Sequence, residues 1–148
     1  MTAQELLAKS NIEIAPEVYS LISIDHKTWN SLLDRPELSP RMTAQFMILM
    51  DKWEVTLLLD AIDFEVLRPE LPNAKIQQGY RLLTFDLVLD LNVVGFMAEV
   101  SRVLAAADIP IMALSAFSRD HLLIRQVDLA KALKVLTDYT AGDDINSE

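Results

Sequence analysis

Apolar and polar positions alternate most clearly in "RLLTFDLVLD", residues 81–90. Leu83, Phe85, Leu87 and Leu89 fall on one face, and Thr84, Asp86, Val88 and Asp90 on the other. That period of two predicts a strand with one buried face. After "LNVVG" the period changes. Met97, Val100, Leu104 and Ala107 recur at helical spacing over residues 96–107, with Glu99 and Arg102 off the stripe and Asn92 placed as N-cap. "IPIMALSAF" predicts a second strand, whose start tolerates the missing N–H of Pro110, and "DHLLIR" predicts its hairpin partner. "VDLAKALKVLTDY" predicts a second helix on the stripe Leu129, Ala132, Leu133 and Leu136. From Arg81 the order is β-α-β-β-α, one strand short of the ferredoxin-like β-α-β-β-α-β unit.

The preceding half carries a fainter version of the same order. "EVYSLISID" predicts a strand, and "TAQFMILMDKWEVTLLLD" predicts two strands joined near Lys52. "DAIDFEVL" predicts a short helix with Asp60 and Asp63 at its cap and first turn. The expected fold is therefore α+β: two ferredoxin-like βαββαβ units with antiparallel sheets and helices on one face. The expected division is residues 1–80, residues 81–140, and a flexible acidic tail at residues 141–148. The join falls within "RPELPNAKIQQG", and the strand missing from the second unit is expected to come from the first.

Composition narrows the function classes. A chain of 148 residues that is 51% apolar with three glycines suits one packed domain or two small modules sharing a core. The formal net charge of -9 opposes binding to nucleic acid or anionic lipid through bulk electrostatics. The absence of cysteine removes disulfides, thiolate metal sites and thiol nucleophiles. "MTAQELLAKSNIEIAPE" lacks a basic start followed by an apolar core, and no apolar run of about 18 residues follows anywhere. The expected setting is the cytoplasm.

Candidate chemistry concentrates in "ALSAFSRDHLLI", where Ser115, Asp120 and His121 lie within one hairpin. A hydrolase triad is not expected there. Neighbouring residues on a strand leave on opposite faces, so Asp120 cannot orient the His121 ring, and no G-x-S-x-G elbow is present. Asp86 and Asp90 share a strand face but stand about 13 Å apart at about 3.3 Å per residue, wider than glycosidase pairs. His26 and His121 have no short ligand spacing, and the remaining metal option is a carboxylate-rich Mg²⁺ or Ca²⁺ site, for which no EF-hand-like spacing appears; no metal and no cofactor is expected. Two features point to a small charged ligand. In "DLNVVGF" a glycine sits where strand passes into helix, and the following N–H groups suit a carboxylate. Asp120 supplies the opposite charge between Phe117 and Leu122. A free amino acid carries both charges.

"DLNVVGFMAEVSRVLAAADIPIMALSAFSRDHLLI" resembles an ACT module, the βαββαβ unit of amino-acid-sensing regulators, and "KWEVTLLLD" resembles a strand of a preceding module. The resemblance spans roughly residues 19–136. It is nearest to small bacterial tandem-ACT proteins and, further off, to the ACT modules of the cytosolic arginine sensors. The common ACT loop reads Asp-x-Pro-Gly, where this chain has Asn92-Val93-Val94-Gly95, and many of the small relatives carry a glycine where Val55 follows Glu54. The resemblance implies a non-catalytic regulatory module that binds an amino acid where ACT units meet. The strand-to-helix loop, Asn92, Val94, Gly95 and Phe96, would hold the ligand backbone; Asp120 would hold a cationic group; Ser115 and Phe117 would line the wall. ACT units usually pair, and the apolar outward positions Val88, Met112 and Leu114 favour a homodimer. With no effector or catalytic domain read in the sequence, output is expected to act through another, unidentified protein. The alternative is a protein-interaction domain with a vestigial pocket.

Overall fold

The computed structural model describes residues 1–146, with side chains as far as residue 141. In chain order the elements are helix α1 (Ala3–Lys9), strands β1 (Asn11–Ile14) and β2 (Tyr19–Ile24), helix α2 (His26–Leu33), strands β3 (Met47–Met50) and β4 (Val55–Asp60), and helix α3 (Ala61–Leu67). Strand β5 (Lys75–Asp86), helix α4 (Phe96–Ala106), strands β6 (Met112–Ser115) and β7 (Asp120–Arg125), and helix α5 (Leu129–Asn146) complete the chain. They form two compact units: an inner one, Glu17–Tyr80, and an outer one, Met1–Pro16 with Arg81–Glu148. The fold is α+β, with antiparallel pairing and helices on one face.

The inner unit is a complete β-α-β-β-α-β run, β2-α2-β3-β4-α3 and residues 75–80 of β5. Its strand order is β3-β4-β2-β5, with β2 antiparallel to β4 from Tyr19↔Asp60 to Ile24↔Val55. Ile22, Ile24, Val55, Leu57 and Leu59 meet Phe64, Leu67 and Leu71 in its core. Helix α3 begins where the sequence places it, because the Asp60 carboxylate accepts the Asp63 N–H at 2.8 Å.

The outer unit has the same order with one strand supplied from the chain start. Residues 81–86 of β5, then α4, β6, β7 and α5, make β-α-β-β-α, and β1 fills the fourth strand position. β1 lies antiparallel to β5 from Asn11↔Asp86 to Ile14↔Leu83. The division therefore differs from one at residue 80: residues 1–16 belong with the segment that begins at Arg81. Helix α1, whose Thr2–Glu5 capping box satisfies both end N–H groups, packs against α4 and α5. The stripes predicted on α4 and α5 meet over the sheet, where Val100, Leu104, Ala132 and Leu136 join Leu83, Phe85, Leu122 and Ile124.

Three local expectations are corrected. β5 begins at Lys75 and ends at Asp86, so the alternation to Asp90 does not continue as strand. Beyond Asp86 the chain turns, with the Leu87 N–H bonded to the Phe85 carbonyl and the Leu89 N–H to the Ser118 carbonyl, both at 2.8 Å. Asn92 does not cap α4. Its own N–H bonds Asp90 Oδ1 at 2.8 Å, and the N-cap is Gly95. Helix α5 continues past Ala141, where the sequence predicts a flexible tail, to Asn146; side chains from residue 142 and residues 147–148 lie outside the described part. No helix among the described residues is long and apolar enough to cross a membrane.

Candidate ligand-binding site

In the outer unit the loop entering α4 and the β6–β7 hairpin line an open cavity of about 360 Å³. Gly95 sits at its mouth in the left-handed region, φ 87° and ψ 4°, which glycine enters without a Cβ penalty. A Cβ built there would meet only Ala3 Cβ, at 3.9 Å, so the glycine is required by its dihedral angle and not by space. Gly95 offers no side-chain acceptor, and the N–H groups of Phe96, Met97 and Ala98 precede the first possible intrahelical bond. All three residues line the cavity. Phe96 is buried and meets Phe85 edge-to-face at 5.4 Å, which holds the start of α4 against the sheet.

The opposite wall comes from the hairpin. The Ala116 N–H donates to the Arg119 carbonyl at 3.0 Å and closes the turn. Ser115 Oγ donates to Asp120 Oδ1 at 2.7 Å, which leaves Oδ2 able to accept from a ligand. Arg119 Nε donates to Asp86 Oδ1 at 2.8 Å. The residues that line the cavity thus include the start of α4, the acid Asp120, the Asp86-bound Arg119 and the apolar Leu89, Val93 and Phe117.

Five of the seven predicted positions line this cavity: Gly95, Phe96, Ser115, Phe117 and Asp120. Asn92 and Val94 do not. Asn92 belongs to the turn closed by Asp90, and Val94 is 88% exposed. Asp90, Met97 and Arg119 line the cavity and are absent from the sequence prediction. The adjacent charges of "RDH" signal Arg119, but only the closed hairpin turns that side chain toward the loop. His121 leaves Asp120 on the far face of β7, as the strand period requires, and its Nδ1 shares a 2.7 Å hydrogen bond with Thr84 Oγ1. Burial lowers the His121 pKa below the usual imidazole range, aided by the Arg119 charge and opposed by Asp120. Ser115, Asp120 and His121 are therefore not arranged as a triad. Among the described residues no cluster of three or more His, Cys, Asp or Glu forms a metal site.

The profile of the ACT domain family matches residues 75–138, which span β5, α4, the hairpin and the first turns of α5. The fold is ACT-like. Among solved structures, a Vibrio cholerae protein of unknown function shares it with a TM-score of 0.66 at 21% identity, over 90% of this chain and 93% of that one. Clostridium acetobutylicum aspartate kinase shares it at 0.67 and 12% identity, over 89% of this chain and 34% of the kinase. The ligand-free regulatory subunit of Thermus thermophilus aspartate kinase does so at 0.62 and 12%, over 87% and 97%. At such identities the likeness is one of fold. No curated protein matches the sequence.

Proposed function

We propose that this chain is a non-catalytic sensing module that binds a free amino acid in the outer unit's cavity. One observation carries the reading: an uncapped helix N-terminus behind a left-handed glycine and the carboxylate of Asp120 line the same space. An α-carboxylate would take the N–H groups of Phe96, Met97 and Ala98, where the helix dipole adds to the hydrogen bonds. An ammonium or guanidinium would take the free Oδ2 of Asp120, and Phe117 and Ser115 would wall the side chain. At about 360 Å³ the cavity lies at the small end of the roughly 300–1,000 Å³ usual for ligand sites. The resemblance to small bacterial tandem-ACT proteins and to the arginine sensors supports the same assignment, a cytoplasmic setting, and output through a separate effector protein.

A thermal-shift screen of the twenty amino acids tests it. A charge-assisted hydrogen bond is worth roughly 1.5–3 kcal/mol. Asp120→Asn should therefore raise the Kd of any stabilising amino acid about ten- to a hundredfold, and His121→Ala should leave it nearly unchanged. If no amino acid stabilises the chain at millimolar concentration, the reading fails.

A protein-interaction role is the second reading, favoured by β3. That strand ends the inner unit's sheet order, and its Ile48, Leu49 and Met50 are 39%, 55% and 53% exposed. Val88 at 64% and Met112 at 38% add apolar surface on the outer unit, while Leu114 is only half-exposed. A homodimer would cover this apolar surface under either reading. A light-scattering mass near the 16.7 kDa of one chain, held at tens of micromolar, would count against it.

A further inference from the structure

The inner unit holds a second cavity, of about 160 Å³, whose chemistry differs from the first. Its walls are Trp29 and Leu32 of α2, Leu57 and Leu59 of β4, Leu67 of α3, and Leu38. Arg35, Pro36, Ser39 and Pro40, from the strap that follows α2, also line it, as do Leu33 and Ile48. We propose that this cavity is a binding site for an uncharged apolar molecule of single-ring size, separate from the amino-acid cavity and independent of that reading.

Size and lining set the class. A cavity of about 150 Å³ lined by aliphatic and aromatic side chains stays dry and takes up benzene. This cavity has that size, and its lining is apolar apart from Arg35 and Ser39; unlike that closed one it opens to solvent beside the exposed Leu33 and Ile48. Water inside would find few partners, whereas an apolar ring would gain the dispersion contacts that the lining side chains lack.

Charge sets the rest. Two arginines bracket the strap, and both are already neutralised. Arg35 donates to Glu37 at 2.5 Å and lies 3.5 Å from Glu70. Arg41 donates through Nε to Asp63 Oδ1 at 2.8 Å and through its terminal nitrogen to Asp60 Oδ2, and both aspartates are buried. An anionic ligand would have to compete with these carboxylates for a guanidinium, and a cation would meet no free acid among the lining residues. The same pairs tie each end of the strap to the unit, so the cavity keeps its walls when empty.

Nuclear magnetic resonance on the whole chain, titrated with toluene, tests the proposal. Toluene should shift the Trp29 indole resonance saturably, with a Kd on the order of 1 mM for a ligand of seven heavy atoms. Nuclear Overhauser contacts should run from its ring to Trp29 and the surrounding leucine methyls. Benzoate should bind at least tenfold more weakly. Leu32→Phe, which fills the space from α2, should abolish binding, and Ile48→Phe fills it from the sheet side if the first variant does not fold. The proposal is overturned if toluene gives no saturable shift or if its contacts map to exposed Trp53. Equal binding of benzoate, or unchanged binding in a folded filled variant, overturns it as well.

Discussion

The two units pass from first strand to first helix in the same topological position and with opposite chemistry. In the inner unit Asp25 caps α2, its carboxylate accepting the Thr28 N–H at 2.7 Å, and this bonding holds its carboxyl below the usual range. The His26 Nε2–H then donates to the Asp51 carbonyl at 2.8 Å, tying the helix start to the β3–β4 hairpin. Asp51 itself accepts the N–H groups of Trp53 and Glu54, both at 2.8 Å. The carboxylates of both Asp25 and Asp51 are thus engaged within the chain. In the outer unit the corresponding cap is Gly95, which brings no acceptor, and the residue that opens the helix is Phe96, which turns into the core. A β-α-β-β frame thus leaves its first helix without a side-chain cap only where the chain does not supply its own acceptor.

The carboxylates divide the same way, and this gives the largest expected effect. Asp60 is 3% exposed, caps α3 and pairs with Arg41, whereas Asp120 stands on the cavity wall with one oxygen free. Asp60→Ala should cost about 2–4 kcal/mol in urea denaturation, through lost cap and uncompensated ion pair. Asp120→Ala should stay within about 0.5 kcal/mol. Equal costs would erase the distinction between a structural and a ligand-facing acid.

Exchanging the two caps sharpens it further. At φ 87° any side chain on Gly95 is strained, so Gly95→Ala should destabilise by about 1–2 kcal/mol. Gly95→Asp would supply the internal anion that Asp25 supplies in the inner unit, and should remove stabilisation by amino acids in a thermal-shift assay. Asp25→Gly should leave that stabilisation intact. A Gly95→Asp chain that still responds would mean that the ligand does not use the helix start.

Smaller effects follow from buried protons. His121 has its native pKa lowered by burial from 6.5. Below 6.5 the unfolded chain binds a proton that the native chain resists, so stability falls with pH until the lowered native value is reached. Thermal denaturation at pH 7 and pH 5 should show a larger loss for wild type than for His121→Gln. Tyr19 shows the smallest signal. Its hydroxyl is buried without a partner, and burial, with Glu17, Asp60 and Asp63 nearby, raises its pKa to about 12. Absorbance at 295 nm should show one of the three tyrosines titrating only there, and above pH 10 the unfolded chain's readier ionisation should erode stability.

Much of this architecture was legible in the sequence wherever a periodicity or a cap is local. The helical stripe of residues 96–107, the β6–β7 hairpin, the Asp60 cap and the opposite faces of Asp120 and His121 follow from spacings of two to four residues. The same logic was available for α1, since Thr2-Ala3-Gln4-Glu5 is a capping-box pattern, and for Asp25 ahead of α2, although neither is among the predicted elements. Gly95 was legible as the bend where the chain enters α4, because a lone glycine stands there in the sequence. Its role as N-cap in place of Asn92 was not, because the choice depends on Asp90 capturing the Asn92 N–H.

By itself, then, the sequence determined the kinds of element, their order from Arg81 onward, and the residues able to hold opposite charges. The tertiary structure decided which strands share a sheet. β1 is four residues whose burial alternates between exposed and half-buried, too short and too polar to announce itself, yet its ladder with β5 completes the outer unit and joins residues 1–16 to it. Pairing across some seventy positions leaves no mark in local spacing, because backbone hydrogen bonds are blind to side-chain identity. The end of β5 was decided in the same way. Leucines run on in alternation through Leu89, but the Ser118 carbonyl captures the Leu89 N–H and draws the chain off the sheet into the loop that becomes the cavity's mouth.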